Sequence, residues 1–304
     1  MQNIRVALIG ECMIELSHLA PDRLALGYAG DAFNVAAYLA RSAPVDVEFV
    51  TAVGDDPYSA QMQAAWAARN VGSAHTRVIP GARPGLYLIR TDDRGERTFH
   101  YYRSQSAARA LFGPDQPDTV DDALAGHDLV YLSGITLSIL TPHARTRLLA
   151  VLDETRRRGG RIAFDGNYRP AGWPSPDIAA AAMSAVLSRT DIALPTFDDE
   201  RAVFGDRTPA DTVRRLRAAG CTEIAVKLGP RGSLIADADT TVPIPARTVP
   251  NVVDTTAAGD SYNGAYLAAR LTGATRAEAA ESATTLAARV ITHQGALLPE
   301  PTRT

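Results

Sequence analysis

Val252-Val-Asp-Thr-Thr-Ala-Ala-Gly-Asp-Ser-Tyr-Asn-Gly-Ala-Tyr266 is the stretch on which the reading of this chain turns. Three small residues, Ala257, Ala258 and Gly259, stand before Asp260, and an Ala-rich helical pattern follows. The first N–H groups of a helix lack intrahelical acceptors, and the helix dipole adds partial positive charge there, so such a start is a ready anion site. Small side chains let an anion reach the backbone. Asp260 then sits where it can take the proton of a hydroxyl that attacks phosphorus. An anion cradle, an in-line nucleophile and a placed proton acceptor are the parts phosphoryl transfer requires. A lone Gly-Asp before a helix is more often a cap. The longer run over residues 254–260 asks for more than a cap.

Outward from this segment the chain alternates short apolar strands with helical stretches. Strands are expected at Arg5–Ile9, Val47–Val53, Asp128–Ser133, Arg161–Asp165, Ile192–Leu194 and Glu223–Lys227, several rich in Val and Ile. Thr141-Pro142 and Thr208-Pro209 each read as an N-cap followed by proline at the first helical position, and Gly220 as a C-terminal stop. This alternation implies an α/β fold with a mostly parallel sheet covered on both faces. Residues 11–30 read as short and irregular. Residues 84–103 read as a hairpin, with Tyr87 and Ile89 on one side, Leu86 and Leu88 on the other, and the turn at Asp92–Gly95. A small antiparallel sheet that covers a site explains such an excursion; a decorative insertion is the alternative.

The bulk numbers exclude several classes. Lys and Arg total 31 against 34 Asp and Glu, a net charge of -3, which gives no basic excess for nucleic acid. No apolar run approaches the roughly 18 residues of a membrane span. The two cysteines, Cys12 and Cys221, are far apart, so neither a disulfide framework nor a zinc site is expected, and a cytoplasmic location is. The six histidines are scattered without metal spacing. The first strand runs into Gly10-Glu-Cys-Met13, which is not a dinucleotide-binding fingerprint.

The segment at 254–260 resembles the second signature of the ribokinase-like, or PfkB-type, carbohydrate kinases, Asp-Thr-x-Gly-Ala-Gly-Asp, with Ala257 in place of its first Gly. The resemblance runs over nearly the whole chain. It implies a three-layer α/β/α domain spanning residues 1–304, with a β lid drawn from about 11–30 and 84–108. It also implies ATP and Mg²⁺ as cofactors and dimers or larger oligomers joined through the lid. By that resemblance Asp260 is the base and the backbone of Ala257, Ala258 and Gly259 the anion hole. Were position 257 to need a positive φ, Ala would cost roughly 1 kcal/mol there. Ala29-Gly-Asp-Ala-Phe-Asn34 is similar to the first signature, Gly-Gly-x-x-x-Asn, which implies sugar contacts at Gly30, Asp31 and Asn34. Gly54-Asp-Asp56 is similar to the family's Gly-x-Asp, a structural element. Val226-Lys-Leu-Gly-Pro-Arg-Gly-Ser233 resembles the nucleotide loop, which implies ATP contacts at Lys227, Gly229 and Gly232, with Asn167 also on the nucleotide side. Leu194-Pro-Thr-Phe-Asp-Asp-Glu200 stands where the family has Asn-x-x-Glu, with either Asp199 or Glu200 in the acidic place. No direct metal ligand is implied.

Two arginines set beside aromatics, Phe99-His-Tyr-Tyr-Arg103 and Asp165-Gly-Asn-Tyr-Arg169, suit an anionic sugar, because guanidinium groups bind carboxylates by paired charged hydrogen bonds. The opening Gly10-Glu-x-Met-x-Glu15 also resembles the sugar-acid kinases of the family and sets Glu15 where furanose kinases hold an Asp. The resemblance is strongest to the branch acting on 2-keto-3-deoxygluconate, and it implies sugar-acid contacts at Tyr87, Tyr101, Arg103 and Arg169. A fructokinase is the rival within the family; a sugar-sensing protein without chemistry is the rival outside it.

Overall fold

The computed structural model describes residues 3–20, 22–91 and 97–299. The main sheet runs, edge to edge, Thr241–Ile244, Ser233–Ala236, Glu223–Lys227, Ile192–Ala193, Arg161–Asp165, Leu129–Ser133, Arg5–Ile9, Asp46–Val50 and Val71–Gly72. Every pair from Glu223–Lys227 to Val71–Gly72 is parallel, and only the first two strands join antiparallel. Successive side chains of a strand point to opposite faces, and a sheet covered on both sides must bury both. The strands obey this. Ala7, Ile9, Val130, Leu132, Ile162 and Phe164 feed one core cluster, while Val6, Leu8, Leu129, Tyr131 and Ala163 feed the other. Helices Pro142–Arg157 and Pro176–Leu187 cover the first face. Helices Asp31–Ser42, Pro57–Ala67, Ala258–Leu271 and Arg276–Val290 cover the second.

The expected helix ends are present. Thr141 and Thr208 cap through their side chains, and Gly220 closes the helix Pro209–Ala219 at φ 103°. Asp56 caps Pro57–Ala67 by accepting from the N–H groups of Tyr58 and Ser59, so Gly54-Asp-Asp56 has a structural part. Two expectations need correction. The stretch Val47–Val53 is two strands: Asp46–Val50 stays in the main sheet, while Ala52–Gly54 pairs with Arg77–Ile79 in a separate ribbon. Residues 11–30 are not irregular. They form strands Met13–Ala20 and Arg23–Ala29.

These two strands join Leu86–Thr91 and Arg97–Tyr102 in a four-stranded sheet, ordered Arg23–Ala29, Met13–Ala20, Leu86–Thr91, Arg97–Tyr102. The expected turn at Asp92–Gly95 falls outside the described residues. Tyr87 and Ile89 are buried on one face, while Leu86 and Leu88 lie half-buried on the other. Residues Gly27, Glu15, Tyr87 and Tyr101 stand abreast across the four strands.

The helix Ala258–Leu271 lies against Asp31–Ser42 at very short range. A β-carbon on Gly264 would meet the Tyr38 β-carbon at 2.7 Å and the Val35 carbonyl oxygen at 2.9 Å. Gly264→Ala must therefore push the helices apart, and we expect a loss of about 1–3 kcal/mol, read as a lower urea midpoint at unchanged slope.

Candidate active site

In open parallel sheets the crevice lies beyond the carboxyl ends of the strands. Here that edge carries a cavity of about 570 Å³, lined from below by strand ends and helix starts and from the side by the small sheet. The strand Arg5–Ile9 delivers Glu11, Arg161–Asp165 delivers Asp165 and Asn167, and Glu223–Lys227 ends on Lys227. The small sheet adds Tyr87, Phe99, Tyr101 and Arg103. Gly30, Asp31 and Asn34 come from the start of the helix Asp31–Ser42, and Thr255 to Asp260 close the floor. Nearly all residues singled out in the sequence thus meet in one place.

Asp260 is the centre of the polar network. Asn34, 4 % exposed, donates from Nδ2 to Asp260 Oδ2 at 2.8 Å, across 226 residues of sequence. Burial and the neighbouring carboxylate of Asp31 push the Asp260 carboxyl up to about 7; the Asn34 bond and the Lys227 ammonium pull the other way. Helix geometry leaves the N–H groups of Gly259 and Asp260 without intrahelical acceptors, and both residues line the cavity. A β-carbon on Gly259 would meet only the Lys227 Nζ, at 3.8 Å.

Beneath this start lies a buried ionic cluster. Lys227 Nζ donates to Asp165 Oδ2 at 2.6 Å and to Asn263 Oδ1 at 2.9 Å, and Asn263 Nδ2 donates to the same Asp165 oxygen at 2.7 Å. The ammonium head therefore rests under the start of the helix Ala258–Leu271. Asp31 Oδ2 accepts from Ser133 Oγ at 2.5 Å and from Asn167 Nδ2 at 3.0 Å, tying two strand ends to the helix start. Asn167 holds φ at 33°, a conformation Asn tolerates better than most residues.

Of the two acidic candidates near Thr196, Asp199 opens on the cavity and accepts from the Tyr168 N–H at 3.2 Å. Burial pushes its carboxyl up to about 6, against the pull of Arg169. Glu200 turns away into the protein and pairs with Arg215. Arg103 forms an ion pair with Glu11, which is 2 % exposed. Arg169 is mostly exposed, donates to its neighbour's carbonyl, that of Tyr168, at 2.7 Å, and lies 3.7 Å from Asp199.

Gly229 and Gly232 lie outside the cavity lining, in the turn that follows Lys227. Gly229 has φ 59° with open space around it. Gly232 has φ 91°, and a β-carbon there would meet the Ile244 carbonyl oxygen at 2.0 Å, so the fold itself requires that glycine. Glu15 does not line the cavity; it sits behind Tyr87 and accepts its hydroxyl at 2.5 Å. Glu11, Asp165 and Asn263 were missed as site residues. A strand end was the available signal for the first two. Asn263 is visible only as the i+3 neighbour of Asp260.

Ala257 precedes the helix at φ 59°, in the left-handed region. An alanine there costs roughly 1 kcal/mol relative to glycine. We expect Ala257→Gly to raise stability by about that amount, seen as a higher thermal midpoint, with KM for either substrate within about twofold.

With this geometry in hand, comparison with known proteins is informative. The sequence pattern of the pfkB family carbohydrate kinases matches residues 3–303. The 2-dehydro-3-deoxygluconokinase of Escherichia coli K12 is 42 % identical over 301 residues, covering 97 % of each chain. A fructokinase of Klebsiella pneumoniae is 28 % identical over 268 residues, covering 88 % of this chain and 84 % of its own. Among solved structures, the aminoimidazole riboside kinase of Salmonella enterica, complexed with aminoimidazole riboside and an ATP analog, superposes with a TM-score of 0.82. It is 23 % identical and is covered to 94 %, with 96 % of this chain matched. The fold is ribokinase-like, and the chain belongs to the pfkB family of carbohydrate kinases.

Proposed function

We propose that this carbohydrate kinase transfers the terminal phosphoryl group of ATP to 2-keto-3-deoxygluconate, giving the 6-phosphate. The observation that carries the reading is one cavity holding two kinds of group. Asp260 is bonded to Asn34 at an open helix start, and Arg103 and Arg169 line the same space. The 42 % identity to a 2-dehydro-3-deoxygluconokinase supports the choice of acid over the more distant fructokinase.

In this reading Asp260 takes the proton of the acceptor hydroxyl as that oxygen bonds to phosphorus and the bond to the departing ADP oxygen breaks. Asn34 fixes the carboxylate, and the N–H groups around Gly259 face the negative charge. Lys227 holds the floor of the phosphate site, and the turn Gly229–Gly232 borders the nucleotide. The chain fits both cofactors. The Gly259 cradle is open to a phosphate, and Thr196 with the half-buried Asp199 offers the oxygen donors a hard cation accepts directly or through water. Bound Mg²⁺ and ATP supply the phosphoryl group and neutralise its charge. Gly30, Asp31 and Asn34 face the sugar, Tyr87 and Tyr101 lie along its carbon chain, and Arg103 and Arg169 meet its carboxylate.

We also propose that residues 1–304 form one kinase domain with the small sheet as its lid, working in a reducing, ATP-containing cytoplasm. Cys12 and Cys221 are free and buried, and no helix among the described residues is long and apolar enough to cross a membrane. The outer lid face presents Leu26, Leu16 and Leu88 abreast, with Leu26 48 % exposed and Leu24 44 % beside it. Such an apolar row on a sheet face suits a second copy of the chain.

Turnover of 2-keto-3-deoxygluconate with Mg-ATP, beside fructose and gluconate, tests the substrate. Asp260→Ala should lower kcat by about a thousandfold. Turnover of fructose alone would discard the acid. Arg103→Ala and Arg169→Ala should raise KM for the acid on the order of tenfold and leave KM for ATP within about twofold. Equal effects on both substrates would sink the carboxylate clamp.

Because the Asp260 carboxyl is raised to about 7 and must be ionised to act, kcat/KM should fall roughly tenfold per unit below that pH. A profile flat down to pH 5 would oppose the assignment. The lid proposal expects a dimer or larger assembly in sedimentation at micromolar concentration, lost with Leu26→Asp; a wild-type monomer would refute it.

A further inference from the structure

Tyr87 is 6 % exposed, lines the cavity and presents its phenol between the lid and the sugar site. Its hydroxyl lies 2.5 Å from Glu15 Oε2. Pairing across the lid sets this contact: Glu15 and Tyr87 are direct partners in parallel strands, and Tyr87 and Tyr101 are direct partners in antiparallel ones. Gly27, on the other side of Glu15, has no side chain to displace the carboxylate; a β-carbon there would lie 3.6 Å from Glu15 Oε1. Ser17 Oγ steadies that same oxygen at 3.4 Å. An ionised carboxylate only accepts hydrogen bonds, and a phenol has one proton to give. Burial and the adjacent Glu15 push the phenol pKa up, so that proton stays on the oxygen.

We infer that Glu15 is a positioning residue for substrate choice: by accepting the Tyr87 hydrogen bond, it leaves the phenol oxygen able only to accept from a ligand, so that Tyr87 reads a donating hydroxyl of the sugar acid. The keto oxygen and the carboxylate are then turned toward other groups, the carboxylate toward the arginines. This assigns the tyrosine a polarity opposite to the donor role that a free phenol could also play. It rests on the sugar-acid kinase reading, with Tyr87 in the sugar pocket.

A double-mutant cycle on the full-length enzyme tests it. Glu15→Gln gives Tyr87 an amide that can donate to it, and one neutral hydrogen bond at stake predicts a rise in KM for 2-keto-3-deoxygluconate of about fivefold to tenfold. KM for ATP should stay within about twofold, which also reports an intact fold. Tyr87→Phe should raise KM for the acid by a similar factor. In the Tyr87→Phe background, Glu15→Gln should add less than about twofold. Full additivity would make Glu15 a merely structural support and overturn the inference. So would a Glu15→Gln enzyme with unchanged KM for the acid while Tyr87→Phe raises it. If Tyr87→Phe itself leaves KM unchanged while Arg103→Ala raises it, Tyr87 does not read the sugar and the inference falls, but the sugar-acid reading stands. If neither variant changes KM for the acid, the sugar-acid reading fails as well.

Discussion

The close docking of the helix Ala258–Leu271 on Asp31–Ser42 is the constraint on which the site depends. Gly264 permits it by offering no side chain where Tyr38 and the Val35 carbonyl lie. The contact fixes the register between two helix starts distant in sequence, and that register brings Asn34 to 2.8 Å from Asp260, 226 residues away. A hydrogen bond of this kind contributes only about 1–3 kcal/mol, far too little to draw the helices together. Burial of Phe33, Val35, Leu39, Tyr262, Tyr266 and Leu267 does that work, and the polar contact comes as its geometrical consequence. Core packing thus does the positioning, and the site inherits its precision from apolar residues that never meet a ligand.

The same packing gathers like charges. Asp31, Asp165, Asp199, Asp260 and Glu11 line one cavity, against Lys227, Arg103 and Arg169. Buried carboxylates resist ionising, and neighbours of the same sign add to the resistance. The protein answers selectively. Asp165 accepts from Lys227 and Glu11 pairs with Arg103, although burial still pushes the Glu11 carboxyl up. Asp260 receives one neutral amide and keeps a raised pKa. The sign of the linkage follows: a carboxyl raised in the folded state favours folding less as pH climbs from its ordinary value near 4 toward about 7. The raised Asp260 carboxyl thus comes at some cost in stability, and the strained Ala257 beside it adds to that cost.

Much of this was legible before any coordinates. The alternation of strands and capped helices pointed to the parallel sheet, and the small residues before Asp260 to a helix start, because both depend on local rules of period and cap. What stayed hidden depends on contacts distant in sequence. That the Lys227 ammonium meets Asp165 and Asn263, 62 and 36 residues away in sequence, is one such contact. That Gly232 packs against the Ile244 carbonyl, which leaves no room for a β-carbon, is another. The strands Met13–Ala20 and Arg23–Ala29 were missed because half of each faces a cavity or solvent rather than a core. Their apolar residues stand in no strict alternation: Met13-Ile14 and Leu19-Ala20 are adjacent, and Leu24, Ala25 and Leu26 run together.

The division of the site between two sheets has a consequence for how such a kinase changes substrate. Asp260, Gly259 and Lys227 hang from the helix Ala258–Leu271 and the main sheet, where both faces are packed and a volume change is felt at once. Tyr87, Tyr101 and Arg103 hang from the edge half of a four-stranded sheet that has one face to the cavity and one outward. A side chain facing a cavity has fewer neighbours to displace, so substitution there costs less stability than in the core. On the proposed function, replacing Tyr87, Tyr101 or Arg103 would change the sugar side of the cavity while the hydrogen bond between Asn34 and Asp260 stays in place. The proposed sugar contacts would then lie where the structure tolerates change, and the proposed base where it does not.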